Sequence, residues 1–91
     1  MKTIDFKNFL AFTDITQQET EKVDITLMFS DALYKNMNGI VAHELALRIY
    51  KADAPVGFTD DELKVLKTFV ESNFTPLFID SFNANIKEEG Q

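Results

Sequence analysis

The segment VAHELALRIYKADAPVGFTDDELKVL, Val41 to Leu66, decides the fold, because it holds the end of one helix and the start of the next. Val41, Leu45 and Ile49 recur at helical spacing, with the small Ala42 and Ala46 beside them, which predicts a helix over about residues 40–52 that another helix can approach closely. Pro55 ends it, since the residue before a proline avoids the α region. APVGF (54–58) then reads as an extended connector whose Val56 and Phe58 plug the core. Thr59-Asp60-Asp61-Glu62 is a capping box: the threonine hydroxyl accepts from a backbone N–H and the glutamate reaches back to the cap. Asp60 and Asp61 place negative charge at the positive end of the helix dipole. Leu63, Leu66, Phe69 and Val70 face inward along that helix, and Lys64, Lys67, Thr68 and Glu71 face out.

The same segment offers two chemistries, and neither is complete. His43-Glu44 opens like a zinc-protease helix, but the second imidazole belongs one turn on, where Leu47 stands, and His43 is the chain's one histidine. Asp53–Glu62 lies between helices as a calcium loop would. Counted from Asp53, however, oxygen-ligand positions fall on Pro55 and Gly57, and counted from Lys51 the first position is a cation. Capping accounts for the acidic triplet.

Outward from this centre, Asn73 reads as a helix end, and Thr75-Pro76 as a cap with proline in the first turn. Phe78, Phe82 and Ile86 form the stripe of a last helix, and residues 87–91 are expected to fray. On the other side, Thr26 is the expected cap of a helix carrying Leu27, Met28, Ala32, Leu33 and Met37, closed by the corner Asn38-Gly39. Residues 3–12 read as a strand with Ile4, Phe6, Phe9 and Phe12 apolar. Residues 13–22 form a polar loop, and 23–26 a returning arm. The expected fold is α+β, mainly α: one domain over 1–91, with a β-hairpin region (1–26) packed on a bundle of about four short helices (27–86).

Composition removes several function classes. With no cysteine in 91 residues, neither a disulfide framework nor a thiolate metal site is available, so nine phenylalanines must supply much of the core. The net charge of −6 divides as −2 over residues 1–25, zero over 26–58 and −4 over 59–91. No basic stripe is left to contact phosphates, which argues against direct nucleic-acid binding. No apolar run reaches the length of a membrane span, and no h-region marks the N-terminus. Three glycines leave no phosphate-cradling loop. No catalytic, cofactor-binding or metal-ligating residues are therefore assigned, and the expectation is a non-enzyme in the cytoplasm.

Residues 45–82, LALRIYKADAPVGFTDDELKVLKTFVESNFTPLFIDSF, with IDF near the start and DIT before the first helix, resemble a family of small proteins encoded by phages and prophages. The family's DLDGKPI-like hairpin turn is replaced here by AFTDITQQET (11–20). The resemblance implies a phage-type protein acting in a host cytoplasm by binding another protein, and it carries over no functional residues.

Three readings follow. The first is a non-enzymatic protein-interaction module, an accessory or chaperone-like assembly factor, with Phe9, Leu10 and Phe12 as its exposed apolar patch. The second is an acidic inhibitor of a host nucleic-acid-binding protein, which needs Asp60, Asp61, Glu62, Glu71 and Asp80 on one face. The third is a small metal-dependent enzyme built around His43. The oligomeric state stays open, with a homodimer favoured because a short Phe-rich chain can complete its core against a partner.

Overall fold

The structure, a computed structural model, describes residues 1–53 and 55–88. Its elements are β1 (Lys2–Ile4), β2 (Phe9–Phe12), β3 (Thr20–Val23), α1 (Thr26–Asn36), α2 (Ile40–Lys51), β4 (Val56–Phe58), α3 (Asp60–Asn73), α4 (Pro76–Ala84) and β5 (Lys87–Glu88). The fold is α+β and mainly helical, as expected, but its strands form two small sheets. β2 and β3 make an antiparallel hairpin, Phe9 opposite Val23. β1 sits centrally in a three-stranded antiparallel sheet, order β4-β1-β5, with Lys2 opposite Phe58 on one side and Glu88 on the other.

The expected single strand over 3–12 is broken by Asp5. Its carboxylate accepts the amides of Lys7 and Asn8, each at 3.2 Å, bending the chain between β1 and β2. The return arm of the hairpin begins at Thr20, earlier than the expected Val23. Lys87 and Glu88 pair with β1 where fraying was expected, and the rest of that tail, 89–91, lies outside the described residues, as does Ala54 of the connector.

The α2–α3 junction is as the sequence dictates. α2 ends at Lys51, before Pro55, and Val56 and Phe58 are buried in β4, flanking the half-buried Gly57. Both arms of the capping box form: the Glu62 amide donates to Thr59 Oγ1 at 3.2 Å, and the Thr59 amide to Glu62 Oε1 at 3.0 Å. Thr75 caps α4 with Pro76 in the first turn. α3 runs through Asn73, whose side chain donates back to the Phe69 carbonyl, so the helix cap falls one residue beyond the expected one. At the start of α1 the expected Thr26 cap gives way to Asp24, whose carboxylate accepts the Thr26 amide at 2.9 Å. That bond holds the Asp24 carboxyl below its ordinary range.

The core centres on Phe29 of α1, which is fully buried. Its ring meets Phe6 at 5.1 Å, stacks on Phe82 at 5.7 Å and receives Phe69 edge-on at 5.7 Å, with Phe74 and Phe78 just beyond. Offset-stacked and edge-on pairs at such separations add to the burial of the rings themselves. Leu33, Leu45, Ile49, Leu66 and Val70 complete the layer between the helices.

The phases of α1 and α2 differ from the expected ones, and this difference positions the site. α1 turns Thr26, Phe29, Ser30 and Leu33 inward, leaving Leu27 and Met28 exposed. α2 buries Ala42, Leu45, Ala46 and Ile49 but not Val41, which is exposed. α1 and α2 are joined by a short corner at Gly39, whose φ of +103° is a conformation that side chains with a Cβ avoid.

Candidate interaction surface on α1 and α2

Because the cores of α1 and α2 are satisfied by Phe29, Leu33, Leu45 and Ile49, the remaining apolar side chains are left outside. On a helical wheel of 100° per residue, Leu27 and Tyr34 share one side of α1, and Ile40, His43, Leu47 and Tyr50 share one side of α2. The two stripes flank a groove of about 230 Å³ floored by Ala46 and Ser30 and walled by Leu27, Tyr34, Leu47 and Tyr50. A second hollow continues it past Ile40, His43 and Leu47 toward Lys51. Leu27 is 66% exposed, Ile40 83%, and Tyr34 and Tyr50 56% each. Single exposed apolar residues are ordinary, whereas a contiguous strip with a groove along it marks a contact surface.

In the groove the charged lining residue is Asp31, whereas the second hollow is also lined by Glu44, Arg48 and Lys51. Asp31 on the α1 rim pairs with Lys35 one turn on at 3.0 Å. His43 packs its ring against Tyr34, centroids 5.6 Å apart, and is exposed. Among the described residues, no three His, Cys, Asp or Glu side chains come close enough to hold a metal ion. No helix of the described residues is long and apolar enough to cross a membrane.

The expected patch at Phe9, Leu10 and Phe12 does not form. Phe9 is fully buried and stacks on Phe78 at 5.5 Å, and Phe12 is half-buried, leaving only Leu10 substantially exposed. α4 covers this strand. Asn85 accepts the Leu10 amide (3.0 Å) and donates to the Leu10 carbonyl (2.8 Å), while Ser81 Oγ accepts the Phe12 amide (2.9 Å). Two side chains one helical turn apart thus stand in for a third strand against β2.

The expected acidic face is interrupted. Asp60 and Glu71 lie eleven residues apart on α3, about three turns, and so on the same side. Lys64 and Lys67 lie between them on that stripe, and Lys2 approaches Asp60 at 3.9 Å. Asp61 is exposed at the first turn of the helix. Asp80, on α4, accepts from Gln17 of the β2–β3 loop at 3.1 Å. Glu62 turns to a different task.

That task is an ion-pair clamp with Arg48, which sequence reading did not anticipate. All five guanidinium N–H groups are used: Nε and Nη2 on Glu44, Nη1 and Nη2 on Glu62, and Nη1 also on the Gly57 carbonyl, at 2.7–3.2 Å. The guanidinium also stands over the Phe58 ring at 5.9 Å. α2, β4 and the start of α3 are thereby fastened together. Hydrogen bonds from Arg48 and from the Thr59 amide lower the Glu62 carboxyl from about 4.5 to about 2. Its folded value is depressed, so its contribution is present above pH 4.5 and is lost as the pH falls toward 2. Partial exposure to solvent screens the pair and limits the effect to about 1–2 kcal/mol. Urea unfolding followed by circular dichroism between pH 6 and pH 2 is expected to show this loss in the native chain, while Arg48→Met, less stable at pH 6, shows a shallower decline.

Of the strip's residues, only Leu27 is counted among the apolar helix positions in the sequence reading, which gives Tyr34, Ile40, Leu47 and Tyr50 no role in packing. A signal was present: α1 and α2 carry apolar residues on more sides than one core face can use, with Tyr34 seven residues after Leu27 and Leu47 seven after Ile40. No protein-family model, curated protein or solved structure matches the chain.

Proposed function

We propose that the protein is a non-enzymatic protein-interaction module whose working surface is the α1/α2 strip. The observation that carries this reading is that Leu27, Tyr34 and Tyr50 are exposed together along one groove, with Ile40 exposed in the adjoining hollow, while the core closes without them. Burying such side chains against a partner gains roughly 25 cal/mol per Å² of apolar area, and tyrosine suits an interface because its hydroxyl can stay hydrated at the rim. An accessory role of phage type in a host cytoplasm belongs to the same proposal and rests on the resemblance of residues 45–82. The acidic-inhibitor reading loses its support, since lysines interrupt the face it requires.

A photo-crosslinking side chain placed at Tyr34 tests the surface, with Thr68, exposed on α3, as the control. Crosslinks to protein are expected from position 34 and not from position 68. Equal yields from both, or none from position 34, would overturn the reading.

A further inference from the structure

We infer that the α1/α2 strip is covered by a second copy of the chain, the two helix pairs meeting about a two-fold axis to form a four-helix layer. The inference rests on the reading of this strip as the interaction surface and names its partner.

Area is the first argument. Leu27, Tyr34, Ile40 and Tyr50, with the half-buried Leu47, present on the order of 500 Å² of surface, at the upper part of the range of the largest patch on a typical monomer, a size that is often functional. With the polar rim added, this approaches the ~800 Å² per partner of a standard interface.

Charge is the second. Residues 26–52 hold Lys35, Arg48 and Lys51 against Asp31 and Glu44, a balance of +1, so the remainder of the chain carries −7. Two copies that met through the β2–β3 or α3–α4 sides would bring like charge together. The α1/α2 strip is the near-neutral side of an acidic molecule, and the side where self-contact meets least repulsion. A basic partner would find its complement elsewhere on the surface. The rim also carries Asp31 on the α1 side and Lys51 on the α2 side, an arrangement that a two-fold rotation can make self-complementary.

The geometry is the third. A helix pair with one buried and one exposed apolar side is half of a helical bundle, and Ala46 at the groove floor leaves room for a facing side chain between Tyr34 and Tyr50.

Sedimentation of the full chain across the micromolar range provides the test. The weight-average mass is expected to rise with concentration from 10.4 kDa toward twice that. Because the contact is near-neutral, the midpoint should change less than about threefold between low and high salt. Tyr34→Glu and Ile40→Lys should each hold the chain monomeric, with a thermal midpoint equal to the native one at dilutions where the native chain is also monomeric, while Thr68→Glu should dimerise as the native chain does. A native chain monomeric throughout, or a Tyr34→Glu variant that dimerises normally, would overturn the inference. If the native chain is monomeric while the Tyr34 crosslinker still captures a different protein, the second copy is excluded and the strip remains the interaction surface. If neither is seen, both readings fall.

Discussion

Phe29→Ala is expected to cost about 3–5 kcal/mol, the range for removing a fully buried aromatic ring. Phe29 is the hub of the aromatic core, with five other rings within 6.2 Å of its own. Those rings come from the β1–β2 bend (Phe6), from α3 (Phe69), from the α3–α4 junction (Phe74) and from α4 (Phe78, Phe82). Truncation therefore leaves a void that no single neighbour can fill, since each ring is already held by others. A domain of this length has a stability near the lower end of ~5–15 kcal/mol, so the variant should be largely unfolded by mild denaturant. Its thermal midpoint should fall by about 15–30 °C. Phe12→Ala, at a half-buried position, should cost clearly less. Similar losses at the two positions, read by denaturant titration, would mean that the core is not organised around Phe29.

The second large effect is expected at Asn85. Its side chain bonds to both polar groups of Leu10 and donates to the Ser81 carbonyl at 2.6 Å, and the residue is buried. In Asn85→Ala the Leu10 amide and carbonyl lose the partner that satisfied them on the α4 side. The two Leu10 groups are part-buried, so each lost bond costs near the lower end of about 1–3 kcal/mol, and a total of about 2–3 kcal/mol is expected. Asn85→Asp keeps the acceptor but loses the donor and points a carboxylate oxygen at two carbonyls, so it should not rescue. Amide exchange at Leu10 isolates the mechanism: slow in the native chain, it should approach the rate of an unstructured peptide in Asn85→Ala while the amides of α3 stay protected. Retained protection at Leu10 would show that another group closes β2.

These two residues illustrate what local pattern reveals and what it hides. The chemistry of Pro55, Thr59, Glu62 and Pro76 is local, each acting on backbone within a few residues, and the α2–α3 and α3–α4 junctions were accordingly legible in the sequence. Asn85 acts on a strand 75 residues away. Likewise β1 pairs with β4 and β5, distant segments whose short lengths give no alternation to read. Arg48 could be seen as a cation on an exposed helix face, but not that it faces Glu62 across the α2–α3 junction.

The α1 and α2 phases fall between these cases. A helix with one apolar stripe declares its inward face, whereas α1 offers Leu27, Met28, Phe29, Leu33 and Tyr34 around most of its circumference. Which of them goes inward is decided by the tertiary partner, here the phenylalanines of α3 and α4. The apolar residues left over became the proposed site. Places where a local rule is broken without benefit to the fold are where function is expected to lie.

The most direct test of this account is whether the strip contributes to folding at all. The combined variant Leu27→Gln, Tyr34→Gln, Ile40→Gln and Tyr50→Gln should be measured by thermal unfolding beside the native chain, at a dilution where both are monomeric. Exposed substitutions of this kind shift stability by about 0.5 kcal/mol or less each, so the midpoint should stay within about 15 °C, with crosslinking through a probe at Leu47 abolished. A midpoint lowered by 20 °C or more, or loss of cooperative unfolding, would place these side chains in the core and contradict their assignment to an interaction surface.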